Sequence, residues 1–175
     1  KNQGQLGKAE KYYLAAIKIG AYRIKNNVAE YKFDLALSCN NAGELYIAQD
    51  QFEKAEKFLL VAIEIYKQLV EENANAYESY LATSYNNIGV LYNNQNMLNK
   101  AKIYFFASMD IRERLARKNT DAYEPDLAMS YINVGVFYEK QGQPDKAEKY
   151  YLAAIEIYER LVKKNADAYE PDLAT

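Results

Sequence analysis

The chain has 175 residues, 50% of them apolar and 26% charged, which is enough to bury a core and too apolar for a disordered polymer. A formal charge of -2 supplies no basic stripe for phosphates and so argues against a nucleic-acid partner, and no apolar run approaches the roughly 20 residues that span a bilayer. Histidine is absent and Cys39 is the only cysteine, so the commonest acid–base and metal-ligating side chain is missing and no disulfide can form within one chain.

A repeat governs the chain from its start. Residues 8–17 read KAEKYYLAAI, and the same ten letters return at 146–155. Tyr31, Tyr77, Tyr123 and Tyr169 open similar segments at a constant step of 46 residues (77 − 31, 123 − 77 and 169 − 123). Leu35, Leu81, Leu127 and Leu173 keep the same step, as do Ala36, Ala82, Ala128 and Ala174. The chain therefore divides into residues 1–30, the second helix of a preceding repeat, then repeats over 31–76, 77–122 and 123–168, and the start of a further repeat over 169–175.

Each period holds two amphipathic patterns. The first is predicted over 35–49, 81–95 and 127–141; the second over 52–71, 98–117 and 144–163, with a forerunner at 6–25. Ala147, Tyr151, Ala154, Ile155 and Tyr158 fall at i, i+4, i+7, i+8 and i+11, one stripe of an α-helix. Gly4, Asp50, Asn96 and Gly142 stand in register after the first helices, where a left-handed residue ends a helix; Asn27, Asn73, Asn119 and Asn165 follow the second helices and are expected to do the same. Pro125 and Pro171 are expected to begin first helices and Pro144 a second one. Turns this short make neighbouring helices antiparallel, so the chain is predicted to be all-α, built from stacked helical hairpins.

The residues inside the period resemble the tetratricopeptide repeat. Tyr131, Val134, Gly135 and Tyr138 on a first helix, followed by Ala147, Tyr151 and Ala154 on a second, match its pattern; Tyr85, Ile88, Gly89, Tyr92, Ala101, Phe105 and Ser108 match it one repeat earlier, and Cys39, Ala42, Gly43, Tyr46, Ala55, Leu59 and Ala62 before that. The period exceeds the usual 34 residues and the closing proline is missing, a longer form similar to kinesin light chain-type repeats. The resemblance implies a right-handed α-solenoid of about seven helices that binds a protein partner. Gly43, Gly89 and Gly135 cost about 1 kcal/mol each against Ala in mid-helix, which predicts a close approach of paired helices, with Ala55, Ala101 and Ala147 as the small partners.

Catalytic equipment is missing from the pattern, and no cofactor is expected. Cys39 has no histidine to activate it and stands where Tyr85 and Tyr131 do, as a structural thiol. Carboxylate pairs such as Glu71–Glu72 and Asp121–Glu124 fall at helix ends, as solvated or capping groups.

One constellation stands out. Asn41, Asn87 and Asn133 share a place in the three first helices, preceded in two of them by Asn40 and Asn86. By resemblance this place faces the concave groove, together with Leu37, Thr83 and Met129 one turn back, Glu44, Val90 and Val136 one turn on, and Ala48, Asn94 and Lys140 beyond. A primary amide both donates and accepts, so one per repeat can read the backbone of an extended peptide. The same amides can instead bridge neighbouring helices and fix the stacking, and recurrence in every repeat fits both readings. The groove lacks the lysine and arginine clamp that a peptide carboxylate needs.

The expected role is therefore a non-enzymatic scaffold that binds a peptide or partner protein in its groove. The alternative is a self-assembly module whose repeats stack end to end. Missing capping repeats at either end suggest a segment of a longer array, with self-association through exposed ends. The single cysteine and the absence of a signal or membrane-spanning pattern suggest a cytoplasmic location.

Overall fold

The computed structural model describes residues 11–19 and 31–164, and secondary structure there is helical throughout, joined by short turns. Residues 11–19 form α1; then follow α2 (Lys32–Ile47), α3 (Phe52–Glu72), α4 (Ala74–Asn94), α5 (Leu98–Lys118), α6 (Thr120–Lys140) and α7 (Pro144–Lys164). Helices α2/α3, α4/α5 and α6/α7 are the three hairpins, and α3 also packs on α4 and α5 on α6. We call α2, α4 and α6 the A helices and α3, α5 and α7 the B helices. The backbones of A helices approach one another across repeats, α2 with α4 and α4 with α6, whereas B helices keep their backbones farther apart and meet only through side chains such as Lys100 with Glu56 and Phe106 with Tyr150. That asymmetry curves the stack: the A layer is the compressed, concave side and the B layer the splayed, convex side.

Patterning explains the two layers. Helices α3 and α7 carry a one-sided apolar stripe, as befits outer helices. Helices α2 and α6 are apolar around more of their circumference because B helices and A neighbours cover them from several sides. Ala36, Ala82 and Ala128, in register, are fully buried, as are Leu59, Ile88, Leu91 and Val134. Aromatic rings fill the spaces between hairpins, with Phe33 edge-on to Tyr80 at 4.8 Å and Phe106 edge-on to Tyr138 at 6.4 Å.

Each A helix ends on the expected left-handed residue: Asp50 (φ 56°), Asn96 (φ 59°) and Gly142 (φ 67°). The next amide closes the turn, Gln51 N–H donating to Tyr46 O, Met97 to Tyr92 and Gln143 to Tyr138 at 2.8–3.0 Å, so the orphan carbonyls of the helix end are satisfied.

The other turn differs from expectation. Asn73 and Asn119 are extended (φ −155° and −149°), not left-handed. Each is a one-residue hinge that caps the helix after it, its Oδ1 accepting from the amides of Ala76 (3.3 Å) and Ala122 (3.2 Å). The A helices α4 and α6 therefore begin seven residues before the predicted 81 and 127, at Ala74 and Thr120. Pro125 lies in the second turn of α6 rather than at its start; the residue whose carbonyl it leaves unbonded, Asp121, is exposed, where water can serve it. Pro144 does begin α7. Gly4, Asn27, Asn165 and Pro171 lie outside the described residues.

Two expectations about side chains also change. Glu124 is buried rather than solvated, bonded to Arg160 at 2.6 Å, and Glu78 holds Arg114 in the same way one period earlier; Glu72 and Asp121 remain at the surface, paired with Lys32 and Lys164. The helical glycines do mark a close approach, but to the bulky B-helix residue rather than to the alanines. A Cβ on Gly43 would lie 2.5 Å from Leu59, on Gly89 2.7 Å from Phe105 and on Gly135 2.4 Å from Tyr151.

The three glycines predict a graded response. Gly→Ala returns about 1 kcal/mol of helix propensity, and overpacking removes about 1–3 kcal/mol. Phe105 is buried and cannot yield, so Gly89→Ala should be clearly destabilising in thermal melts followed by circular dichroism. Tyr151 is half-exposed and can swing outward, so Gly135→Ala should lose less.

Candidate binding groove

Three parallel stripes make the concave surface. On α6 they are Met129, Asn133, Val136 and Lys140; on α4, Thr83, Asn87, Val90 and Asn94; on α2, Leu37, Asn41, Glu44 and Ala48. Met129 and Val136 are 47% and 43% exposed although apolar, and Asn94 is exposed as well. Asn41, Thr83, Asn87, Val90 and Asn133 are half-buried, with part of each side chain open to solvent.

The amides also act between repeats. Asn87 Nδ2 donates to Asn40 Oδ1 at 3.3 Å, and Asn133 Nδ2 donates to Asn86 Oδ1 at 2.8 Å. The offset is 47 residues, one more than the period, so each ladder asparagine meets the residue preceding its counterpart. Asn40 is buried and also accepts from Ser84 Oγ at 2.9 Å, which makes it a brace behind the groove and not a wall of it. Asn86 is half-buried in the same supporting position. Both Asn87 and Asn133 keep a second N–H and an oxygen beyond the inter-repeat bond. Lys140 is not a free cation, because its Nζ donates to the backbone oxygen of Asn93 on α4.

A cation comes instead from the B layer. Arg112 on α5 is buried, and its guanidinium passes between two A helices: Nη1 donates to Asp126 O (3.0 Å) and Ser130 Oγ (2.8 Å) on α6, and Nη2 to Thr83 Oγ1 (3.2 Å) on α4. Burial pulls its pKa below the usual guanidinium value, and the neighbouring Asp126 carboxylate opposes that shift. The sequence held a signal for it, since Arg112 occupies the register of Tyr66 and Tyr158 and is the one charged residue among the three. Its side chain ties α4 and α6 together from behind the groove.

The single thiol offers no nucleophile. Cys39 is buried and burial pushes its pKa up to about 11, so the thiolate is scarce at neutral pH. Among the described residues no group of acidic or thiol side chains converges to hold a metal, and no helix is long and apolar enough to cross a membrane.

Family models described as tetratricopeptide repeat match residues 80–160 and residues 35–73. Among solved structures the chain is similar to the crystal structure of BtubC (BKLC) from P. vanneervenii, with a TM-score of 0.74 and 28% sequence identity over 93% of this chain and 59% of that one. The chain thus spans little more than half the length of that relative. No curated protein matches it.

Arg112 separates volume from charge. Arg112→Met keeps most of the filling but loses the guanidinium's hydrogen bonds, so it should lower the melting temperature less than a truncation that also opens a cavity. Arg112→Ala leaves a hole and strips Ser130 and Thr83 of a donor, which should remove about 2–4 kcal/mol in urea unfolding. Equal losses for both would assign the stability to the hydrogen bonds alone.

Proposed function

The chain belongs to the tetratricopeptide repeat family, and on that premise we propose that it is a non-enzymatic scaffold that holds an extended segment of a partner protein in the groove of α2, α4 and α6. A protein-interaction role is what the family brings; the groove as the place, and the asparagines as readers of the peptide backbone, are the finer reading. The observation that carries it is the alternation on one face of half-open amides, Asn41, Asn87 and Asn133, with the exposed apolar side chains Met129 and Val136. Amides suit any extended backbone and the apolar positions suit selected side chains, with Thr83, Val90, Asn94 and Lys140 completing the surface. The inter-repeat bonds support this reading, because an amide already held by its neighbour loses little freedom on binding.

Self-assembly is a second reading, favoured by exposed apolar side chains on the outermost described helices: Tyr12 and Ile19 on α1, Leu152 and Ile155 on α7. Sedimentation velocity across a concentration series decides it. If copies stack there, association should appear as concentration rises and Ile155→Glu should abolish it.

Asn41 gives the sharpest test of the groove, because it has no inter-repeat amide partner among the described residues. With a peptide selected by display on the intact chain, Asn41→Ala should weaken binding by about 1–3 kcal/mol in fluorescence anisotropy and leave the melting temperature alone. Asn87→Ala and Asn133→Ala should lower both quantities, and Asn40→Ala chiefly stability, since it leaves Ser84 and Asn87 without an acceptor. Unchanged affinity in Asn41→Ala, with lower melting in the other variants, would leave the asparagines a stacking role only. Raising the salt concentration should weaken binding little, as no cluster of free cations lines the groove.

A further inference from the structure

The asparagine row of the groove is the same in every repeat, but the charge around it changes from α2 to α6. The α2 stripe starts with Asp34, one turn before Leu37, and carries Glu44 one turn beyond Asn41; both are exposed. Among the described residues neither carboxylate has a hydrogen-bond or ion-pair partner. Helix α2 has one cation, Lys32, and that is bonded to Glu72; the neighbouring α4 has no lysine or arginine at all. On α6 the stripe also starts with a carboxylate, Asp126, but there the buried Arg112 guanidinium lies close by and Lys140 stands further along. The α2 end of the groove is therefore anionic and the α6 end balanced.

Apolar surface runs the other way. The place of Glu44 is taken by Val90 on α4 and by Val136 on α6, half-buried in the first and exposed in the second. Met129, the other exposed apolar side chain of the groove, is also on α6. One register position thus changes from a free carboxylate to an open aliphatic patch over two repeats, directly beside amides that do not change. An extended segment laid across the three helices meets the same donors and acceptors throughout, but a different side-chain preference at each end.

Resting on the groove reading above, we infer that the groove selects a segment with a lysine or arginine over α2, held by Glu44, and an aliphatic residue over α6, against Val136 and Met129. Charge complementarity argues for the first and exposed apolar area for the second. The spacing follows from geometry. Packed helices lie roughly 8–10 Å apart, so two steps from α2 to α6 span about 16–20 Å. An extended chain advances about 3.3 Å per residue and turns alternate side chains to one face, so the two anchors fall about six residues apart. An exposed ion pair adds little affinity, so Glu44 acts mainly on selectivity: a cation gains a few-fold, and an acidic residue there meets two carboxylates and no counter-ion.

The test pans a randomised peptide library against the intact chain and against its Glu44→Lys and Val136→Glu variants; both positions are exposed, so the melting temperature should not move. The intact chain should enrich a basic residue and, about six positions away, an aliphatic one. Glu44→Lys should exchange the basic position for an acidic one and keep the aliphatic; Val136→Glu should do the opposite. In fluorescence anisotropy, replacing the basic residue of an enriched peptide by glutamine should weaken binding about 3- to 5-fold on the intact chain and not at all on Glu44→Gln. Peptides that Asn41→Ala weakens, but that show no basic preference or lose as much on Glu44→Gln, would overturn this inference and leave the groove reading standing. Peptides indifferent to both Asn41→Ala and Glu44→Lys, or no enrichment at all, would overturn the two together.

Discussion

Where Gly89 meets Phe105, two helices approach so closely that a single added carbon would overlap the ring, and the same contact recurs at Gly43 with Leu59 and at Gly135 with Tyr151. Each glycine weakens its own helix by about 1 kcal/mol in propensity. The gain is a B-helix side chain seated against backbone, which fixes the separation and rotation within each hairpin. That rotation then determines which A-helix residues are left for the neighbouring hairpin and which for solvent. The groove stripe is one consequence of it.

Between hairpins the interactions change character. Apolar packing is continuous, but it is little sensitive to small slides along the helix axes. Directional bonds supply that sensitivity: Asn87 to Asn40, Asn133 to Asn86, and the Arg112 guanidinium on Thr83 and Ser130. All join A helices or lie just behind them, on the compressed side of the curve. On the splayed side the ion pairs Glu78–Arg114 and Glu124–Arg160 each lie within one hairpin, and the bonds from Tyr92 to Glu56 and from Tyr131 to Glu113 join one hairpin to the next. Stacking register is therefore held on both sides, and a ligand in the groove would meet surfaces already ordered by the asparagine and Arg112 bonds.

A residue can serve both purposes, and on the proposed reading the ladder asparagines would. One N–H of Asn87 or Asn133 faces the preceding repeat, and each residue as a whole is half-buried. Stacking and peptide reading are thus compatible at these positions, and Asn41, which makes no such inter-repeat bond among the described residues, is where the two separate.

The sequence by itself determined the repeat, the number of hairpins, the antiparallel turns at Asp50, Asn96 and Gly142, and the tight contact at the glycines. All of these depend on local propensity or on a period that recurs three times, and both are legible as spacing. It did not reveal that Asn73 and Asn119 cap the following helix, because an Asn between two helices can end one or start the next, and the backbone decides. Nor did it assign Asn40 to the interior or bring Arg112 beneath the groove. Those outcomes depend on how one hairpin is rotated against the next, and they include a one-residue offset between repeats. A 46-residue period fixes how far apart equivalent residues lie along the chain; only packing in three dimensions decides which inequivalent residues they meet.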